Sequence, residues 1–279
     1  MRYVLYNPLS TNRQSEAELL SELKKYGPIE QVQFVDVTKI EDGKKFMESL
    51  DINDDLVISG GDGTLNRLCN NLDLMHSKNR IYLHKAGNGN DFLRDVNELK
   101  EDFIEITDIV KKLPKVTING ESSYFVNGVG FGVDGMVCVE SDKLKAAGKK
   151  VNYTSLAIKL LLFKYKKVNA KVTVDGKEYE FKRVFIGSVM NGKYYGGGMK
   201  EAPDQDRKSD VLSVVIWHDL HRFGALMLFP KIFEGKHVLK ENKVTVLTGK
   251  EIKVEYSLPT DIQIDGESIH AISVFEASK

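Results

Sequence analysis

The sequence predicts an α/β protein of two domains: an N-terminal domain built on a parallel sheet, then a mainly antiparallel β-sandwich domain. Three observations point there. Over residues 1–113, short apolar runs alternate with stretches of helical spacing, the order that builds a parallel sheet covered by helices. Over residues 114–270, strand-like runs are joined by Asn119-Gly120, Asp175-Gly176 and Asp265-Gly266, dipeptides suited to two-residue hairpins because both positions tolerate a positive φ. The length, 279 residues, exceeds the usual single domain.

Taken in order, residues 3–6, 32–37, 56–59 and 81–84 are the apolar runs of the first domain, and residues 15–26, 42–50 and 64–72 are the helices between them. The first run breaks at Asn7-Pro8, too soon for the apolar core of a signal peptide. In the second domain, helices at 153–167 and 220–234 interrupt the strand pattern. The last run, 272–276, suits either domain, so residues 271–279 are candidates to rejoin the first.

Apolar residues make up 42% of the chain and charged residues 29%, enough for a folded core. Forty basic residues balance forty acidic ones, which argues against nucleic acid as a partner drawn by overall charge and confines any anionic ligand to a local patch. Cys69 and Cys138 stand far apart, outside any metal-ligand spacing, and read as reduced thiols of a cytoplasmic protein. No stretch reaches the roughly 18 to 20 apolar residues of a transmembrane helix, because Lys159 and Lys164 interrupt the most apolar one. His218 and His221, three apart with no further ligand nearby, read as ordinary surface or core residues.

The chemistry concentrates in loops that follow strands. Leu56-Val57-Ile58-Ser59 leads into Gly60-Gly61-Asp62-Gly63-Thr64 and a helix start that Asp62 or Thr64 would cap. Glycines let backbone amides close on an anion, and a helix N-terminus adds unpaired donors and the positive end of its dipole. The turn is not a P-loop, which needs a Lys after the glycines, nor the dinucleotide fingerprint, which needs a third glycine at fixed spacing. A second strand leads into Gly87-Asn88-Gly89-Asn90-Asp91-Phe92, and the first into Asn7-Pro8-Leu9-Ser10-Thr11. Three such loops at the carboxyl ends of one parallel sheet make the ligand crevice of open α/β folds.

These loops resemble the catalytic domain of diacylglycerol and sphingosine kinases in its bacterial soluble form. Asn7-Pro8 is similar to that family's opening loop, Tyr194-Tyr195-Gly196-Gly197-Gly198-Met199 with Ala202-Pro203-Asp204 to its second-domain signature, and Asp265-Gly266-Glu267 to its catalytic segment. The likeness runs in order through both domains. It implies transfer of phosphate from ATP, with Mg2+, to a lipid hydroxyl, diacylglycerol leading. It further implies that Asn7, Pro8, Ser10 and Thr38 border the nucleotide and that Gly60, Gly61, Asp62, Gly63 and Thr64 wrap its phosphates. Asp62 would also hold Mg2+ or orient the phosphates. Gly87, Asn88, Gly89, Asn90 and Asp91 would complete the pocket, and Glu267 would be the general base, supported by Asp265. Phosphoryl transfer needs charge neutralisation and a base at the attacking hydroxyl, and carboxylates suit both tasks. On its residues alone, Asp265-Gly266 is a hairpin turn. The resemblance also implies a peripheral protein meeting its lipid at the inner membrane surface, and leaves room for a homodimer.

Two departures from the family pattern stand out. Asn88 replaces the usual Thr or Ser. After Pro203, where the family holds a structural Mg2+, the chain reads Asp204-Gln205-Asp206-Arg207-Lys208-Ser209-Asp210-Val211. Asp206, Ser209 and Val211 mark the ion's place, with a serine where a metal-holding aspartate belongs, so Asp206 or Asp210 would have to compensate. Residues 143–167 hold eight lysines and no acidic residue beside an apolar helix. That is a candidate face for anionic lipid, and equally the pattern of a core helix with a solvated side.

Other readings stay open at this point. A sphingoid base or another lipid alcohol is the alternative acceptor. A nicotinamide dinucleotide kinase shares the Gly60 turn but neither the 87–91 loop nor the 196–198 signature. A nucleotide-binding regulator without catalysis would have no reason to keep Asp62, Asp265 and Glu267.

Overall fold

The computed structural model describes residues 1–8, 16–27, 31–87 and 89–279; Ser10, Ser15 and Asn88 of the expected elements and site lie outside them. The chain divides into two units, Met1–Leu113 and Pro114–Lys279.

The first unit is a five-stranded sheet of β1 (Arg2–Tyr6), β2 (Val32–Asp36), β3 (Asp55–Gly60), β4 (Arg80–Lys85) and β5 (Phe103–Glu105), in the order β2-β1-β3-β4-β5. The first four strands are parallel, as their alternation with helices requires, and β5 adds an antiparallel edge. β5 is three half-exposed residues long, too short to leave a pattern in the sequence. The helices are α1 (Glu16–Leu23), α2 (Gly43–Glu48), α3 (Asp62–Asn71), α4 (Asp91–Asn97) and α5 (Thr107–Val110). α1 buries Leu19 and Leu23, the latter against Val4 and Val57 of the sheet. Asp42 caps α2 by accepting from the Lys45 amide at 3.1 Å, satisfying one of the donors a helix start leaves open. The chain leaves β1 for β2 on one side and returns to β3 on the other. The strand order therefore reverses between β1 and β3, where open α/β sheets part their loops and bind ligands.

The second unit contains β6 (Lys115–Ile118), β7 (Glu121–Tyr124), β8 (Gly128–Gly132), β9 (Val168–Val174), β10 (Lys177–Val184), β11 (Ile186–Met190), β12 (Leu212–Trp217), β13 (Val244–Gly249), β14 (Glu251–Ile264) and β15 (Glu267–Ser278). They hydrogen-bond in the order β13-β12-β11-β8-β14-β15-β6-β7, with the β9-β10 hairpin branching from β14. β14 pairs β9 along its first half and β8 along its second, with register shifts around Thr260 between them. Such irregularities bend a strand, and the two parts share one core that includes Phe131, Val172, Val254, Ile262 and Phe275. This is the sandwich the sequence predicts.

All three hairpin dipeptides adopt the positive φ pair of the tight turn: Asn119 and Gly120 at 52° and 85°, Asp175 and Gly176 at 47° and 81°, Asp265 and Gly266 at 47° and 92°. β15 pairs β14 and β6, so residues 271–279 complete the second unit rather than the first.

The helices of this unit depart from expectation. α6 (Val133–Ala146), at 14 residues the longest described helix, was not foreseen, because Val133, Val137, Val139 and Gly135 depress helix propensity and read as more strand. The run expected at 153–167 is α7 (Tyr153–Lys159) followed by a π-helical turn, Leu160–Lys164, and the run at 220–234 is α8 (Arg222–Leu228) followed by a 3-10 turn, Phe229–Glu234. Pro230, at the start of that turn, has no amide to continue the α-helical ladder. Among the described residues no helix is long and apolar enough to cross a membrane.

Candidate active site

In the first unit, strand register decides which loops meet. Tyr6 lies opposite Asp36 and Ser59, and Gly60 opposite Lys85. Asn7, Thr38, Gly61 and Gly87 therefore follow their strands at one end of the sheet, with Asn7 and Gly61 at the reversal of strand order. Thr38 is turned onto its own loop: its amide and hydroxyl donate to Asp36 Oδ1 at 3.0 and 2.6 Å. The Thr38 hydroxyl is accordingly the first cause that holds the Asp36 carboxyl below its ordinary range.

The two glycine loops are tied together. Asp62 is the first residue of α3, and neither it nor Thr64 caps that helix; Gly61 stands at the cap without a side-chain bond. The Asp62 carboxylate reaches instead across to the second loop, accepting from the amides of Asp91 at 2.8 Å and Phe92 at 2.9 Å. The start of α4 is thus spent on Asp62, while the first-turn amides of α3 lack intrahelical partners, as at every helix start. A Cβ at Gly87 would lie 3.0 Å from Gly61 Cα and 3.2 Å from its nitrogen, so a side chain there would press on the Gly61 backbone and need the loops to part by a few tenths of an ångström. Asn90, in the left-handed region, donates to the Gly87 carbonyl at 2.6 Å. Its buried Oδ1 has no partner among the described residues.

In the second unit, Asp265 and Glu267 flank one tight turn and do different things. The Asp265 carboxylate accepts from the amides of Val126, Asn127 and Gly128 at 2.5, 2.7 and 3.0 Å, which pins the turn to the entrance of β8. Glu267, two residues on, is exposed. Behind the turn lies a network the sequence did not disclose. Gln263 accepts from the Gly266 amide at 2.6 Å and donates to Asp134 Oδ2 at 3.0 Å. Asp134, partly buried in the first turn of α6, has its carboxyl pushed up to about 7, first by burial and further by the Glu201 charge, against the lowering bond from Gln263. Its only trace in the sequence is an aspartate set among valines.

Loop 204–211 does not fit a structural metal ion. The Asp206 and Val211 carbonyls are already hydrogen-bonded: Gln205 Nε2 donates to them at 3.1 and 2.9 Å, and Ser209 Oγ at 2.6 and 3.3 Å. Asp206 Oδ1 accepts from the Lys208 amide at 2.9 Å. Among the described residues no three acidic, histidine or cysteine side chains cluster as metal ligands. His218 is held by Thr245 at 2.9 Å, in keeping with a structural role.

Residues 2–119 match the family described as "Diacylglycerol kinase catalytic domain", and residues 127–277 match "YegS C-terminal NAD kinase beta sandwich-like domain". The chain belongs to the lipid kinase family built on these two domains. YtlR of Bacillus subtilis (strain 168), by its name a candidate lipid kinase, is 26% identical over 231 residues, covering 76% of this chain and 73% of its own. A diacylglycerol kinase of Mycobacterium tuberculosis (strain CDC 1551 / Oshkosh) is 25% identical over 211 residues, covering 72% and 67%. The fold is that of a crystallised candidate diacylglycerol kinase from Bacillus anthracis str. Sterne, with a TM-score of 0.69 and 19% identity over all of this chain and 92% of that one. In this chain the glycine loops fall within the first matched domain, and the Asp265 turn within the second.

Proposed function

We propose that this lipid kinase transfers the γ-phosphoryl group of MgATP to the hydroxyl of diacylglycerol, yielding phosphatidate and ADP. The observation that carries the reading is the intact turn at Asp265: an exposed glutamate on a backbone immobilised by three amide bonds to one carboxylate. A nucleotide-binding regulator has no need of so fixed a base.

Each residue then has a task. The Gly60–Thr64 turn, with the first-turn amides of α3, holds the phosphates, where the helix dipole and open donors favour negative charge. Asp62 keeps the second glycine loop against the first, and Mg2+ enters with the nucleotide as part of the substrate. Asn7, Pro8 and Thr38 edge the nucleotide from the neighbouring strands, and Gly87, Gly89, Asn90 and Asp91 close the pocket. Glu267 takes the proton from the lipid hydroxyl as its oxygen bonds to the γ-phosphorus and the bond to ADP breaks. Asp265 positions that base; its own oxygens are occupied by amides.

The acceptor reaches the enzyme from a bilayer. The segment that follows α7, the π-helical turn Leu160–Lys164 and Tyr165, is joined to α8 by Arg222, which donates to the carbonyls of Leu161, Leu162 and Tyr165, and the turn and α8 expose Phe163 at 77%, Phe223 at 71% and Met227 at 62%. Lys159, Lys166 and Lys231 are exposed on the same segments. Apolar side chains among lysines suit insertion into the headgroup region of an anionic leaflet, and we assign this face to that contact.

The test is incubation with labelled ATP, Mg2+ and mixed micelles holding diacylglycerol, monoacylglycerol, sphingosine or ceramide in turn, with NAD as a soluble acceptor. Label in phosphatidate is expected. Label in another product would replace the acceptor, and label in NAD alone would overturn the lipid reading.

A further inference from the structure

We propose that loop 204–211 is a metal-free clamp, in which Arg207 and Lys279 supply the positive charge an ion would bring, and that this clamp fixes the segment on which the Glu267 turn is seated. The positioning half rests on the role proposed for Glu267; the metal-free half does not.

Residues 126–128 are gripped from both sides. On the amide side all three donate to Asp265. On the carbonyl side the largely buried Arg207 donates through Nη1 to the Val126 carbonyl and through Nη2 to Asn127 Oδ1, the latter at 2.8 Å. Asn191 adds its side-chain amide to the Val126 carbonyl at 3.0 Å and its backbone amide to the Asn127 carbonyl at 2.9 Å. Lys279 closes the outer end, its ammonium donating to Asn191 Oδ1 and to the Arg207 carbonyl, each at 2.7 Å. Arg207 thus links the loop to the seat of the turn through a rigid fork that stays charged at any working pH.

An ion has no place in this arrangement. Mg2+ demands near-octahedral oxygen ligands at close range, and at the ion's expected place the Asp206 and Val211 carbonyls accept from Gln205 and Ser209, the Arg207 carbonyl from Lys279 and Asp206 Oδ1 from the Lys208 amide. Ser209, where the family keeps an aspartate, supplies a donor rather than a charge. Arg207 and Lys279 bring the cationic centre from within the chain.

The first arm needs no turnover: melting of the full chain without nucleotide, in EDTA and then with added Mg2+. An unchanged melting temperature is expected. A saturable rise that Asp206→Asn abolishes would overturn the metal-free half. The second arm is kinetic. Arg207→Ala is expected to lower kcat about 10- to 100-fold, the scale of a small misplacement of a reacting group, with KM for ATP unchanged and part of the loss restored by Arg207→Lys. If Arg207→Ala does not fold, Lys279→Met is read in the same way, and kcat unchanged in the variant that folds would overturn the positioning half. Should the wild type transfer no phosphate at all, amide exchange decides: Lys279→Met must speed exchange at Val126, Asn127 and Gly128, and equal protection would reject the clamp.

Discussion

Asp134 shows how a single partly buried side chain ties stability to pH. Its ordinary carboxyl value is 3.8, and burial raises it to about 7 in the folded protein. Between those values the native state keeps a proton that the unfolded chain has released. The resulting stability is complete below about pH 4 and is lost as pH rises through about 7, a swing on the order of 4 kcal/mol. Glu201, Tyr195 and Cys138 are the titratable groups coupled to it, and none of them is expected to reverse the sign. Asp134→Asn should therefore gain melting temperature over the wild type progressively from pH 5 to pH 8; parallel melting curves across that range would refute the assignment. Asp134 also marks the limit of reading residues one at a time. Its partner Gln263 is 129 residues away, and no local pattern announces a pair so distant. Arg207 and Lys279 were missed for the same reason, whereas Asp265 and Glu267, which share one short segment, stand out as candidates through the family resemblance.

Elements were legible where a local rule governs them. Asn-Gly and Asp-Gly pairs fix their turns through φ alone, and all three turns formed. The apolar runs of the first unit gave β1 to β4 with the right alternation, since buried parallel strands leave near-continuous apolar stretches. α6 escaped notice because its burial, not its propensity, makes it a helix, and the tail at 271–279 because pairing between β15 and β14 is not written in either strand by itself. Capping at α3 was misjudged too, since Asp62 had a better use in joining the two glycine loops. That junction is testable. Gly87→Ala forces a methyl into contact with Gly61, an overpacking cost of about 1 to 3 kcal/mol. We expect KM for ATP to rise roughly 10-fold, the equivalent of 1.4 kcal/mol, with kcat much less affected; an unchanged KM would show that the loops need not touch for nucleotide to bind.

For the whole molecule, a balanced net charge of zero leaves membrane contact to local features. Several lysines expected to form the docking stretch are partly neutralised: Lys143 and Lys164 pair with Glu140, and Lys145 with Asp142. On the proposed membrane contact, apolar insertion from the π-helical turn after α7 and from α8 is expected to contribute more than charge. Flotation with vesicles rich in anionic lipid should show binding that Phe163→Ser with Phe223→Ser weakens more than moderate salt does; loss to salt alone would return the role to the lysines. The central claim is phosphoryl transfer assisted by Glu267, and Glu267→Gln tests it most directly. Turnover of diacylglycerol should fall by roughly 10² to 10⁴, the worth of a positioned base, while ATP binding measured in parallel stays as in the wild type. Turnover equal to the wild type would contradict the account.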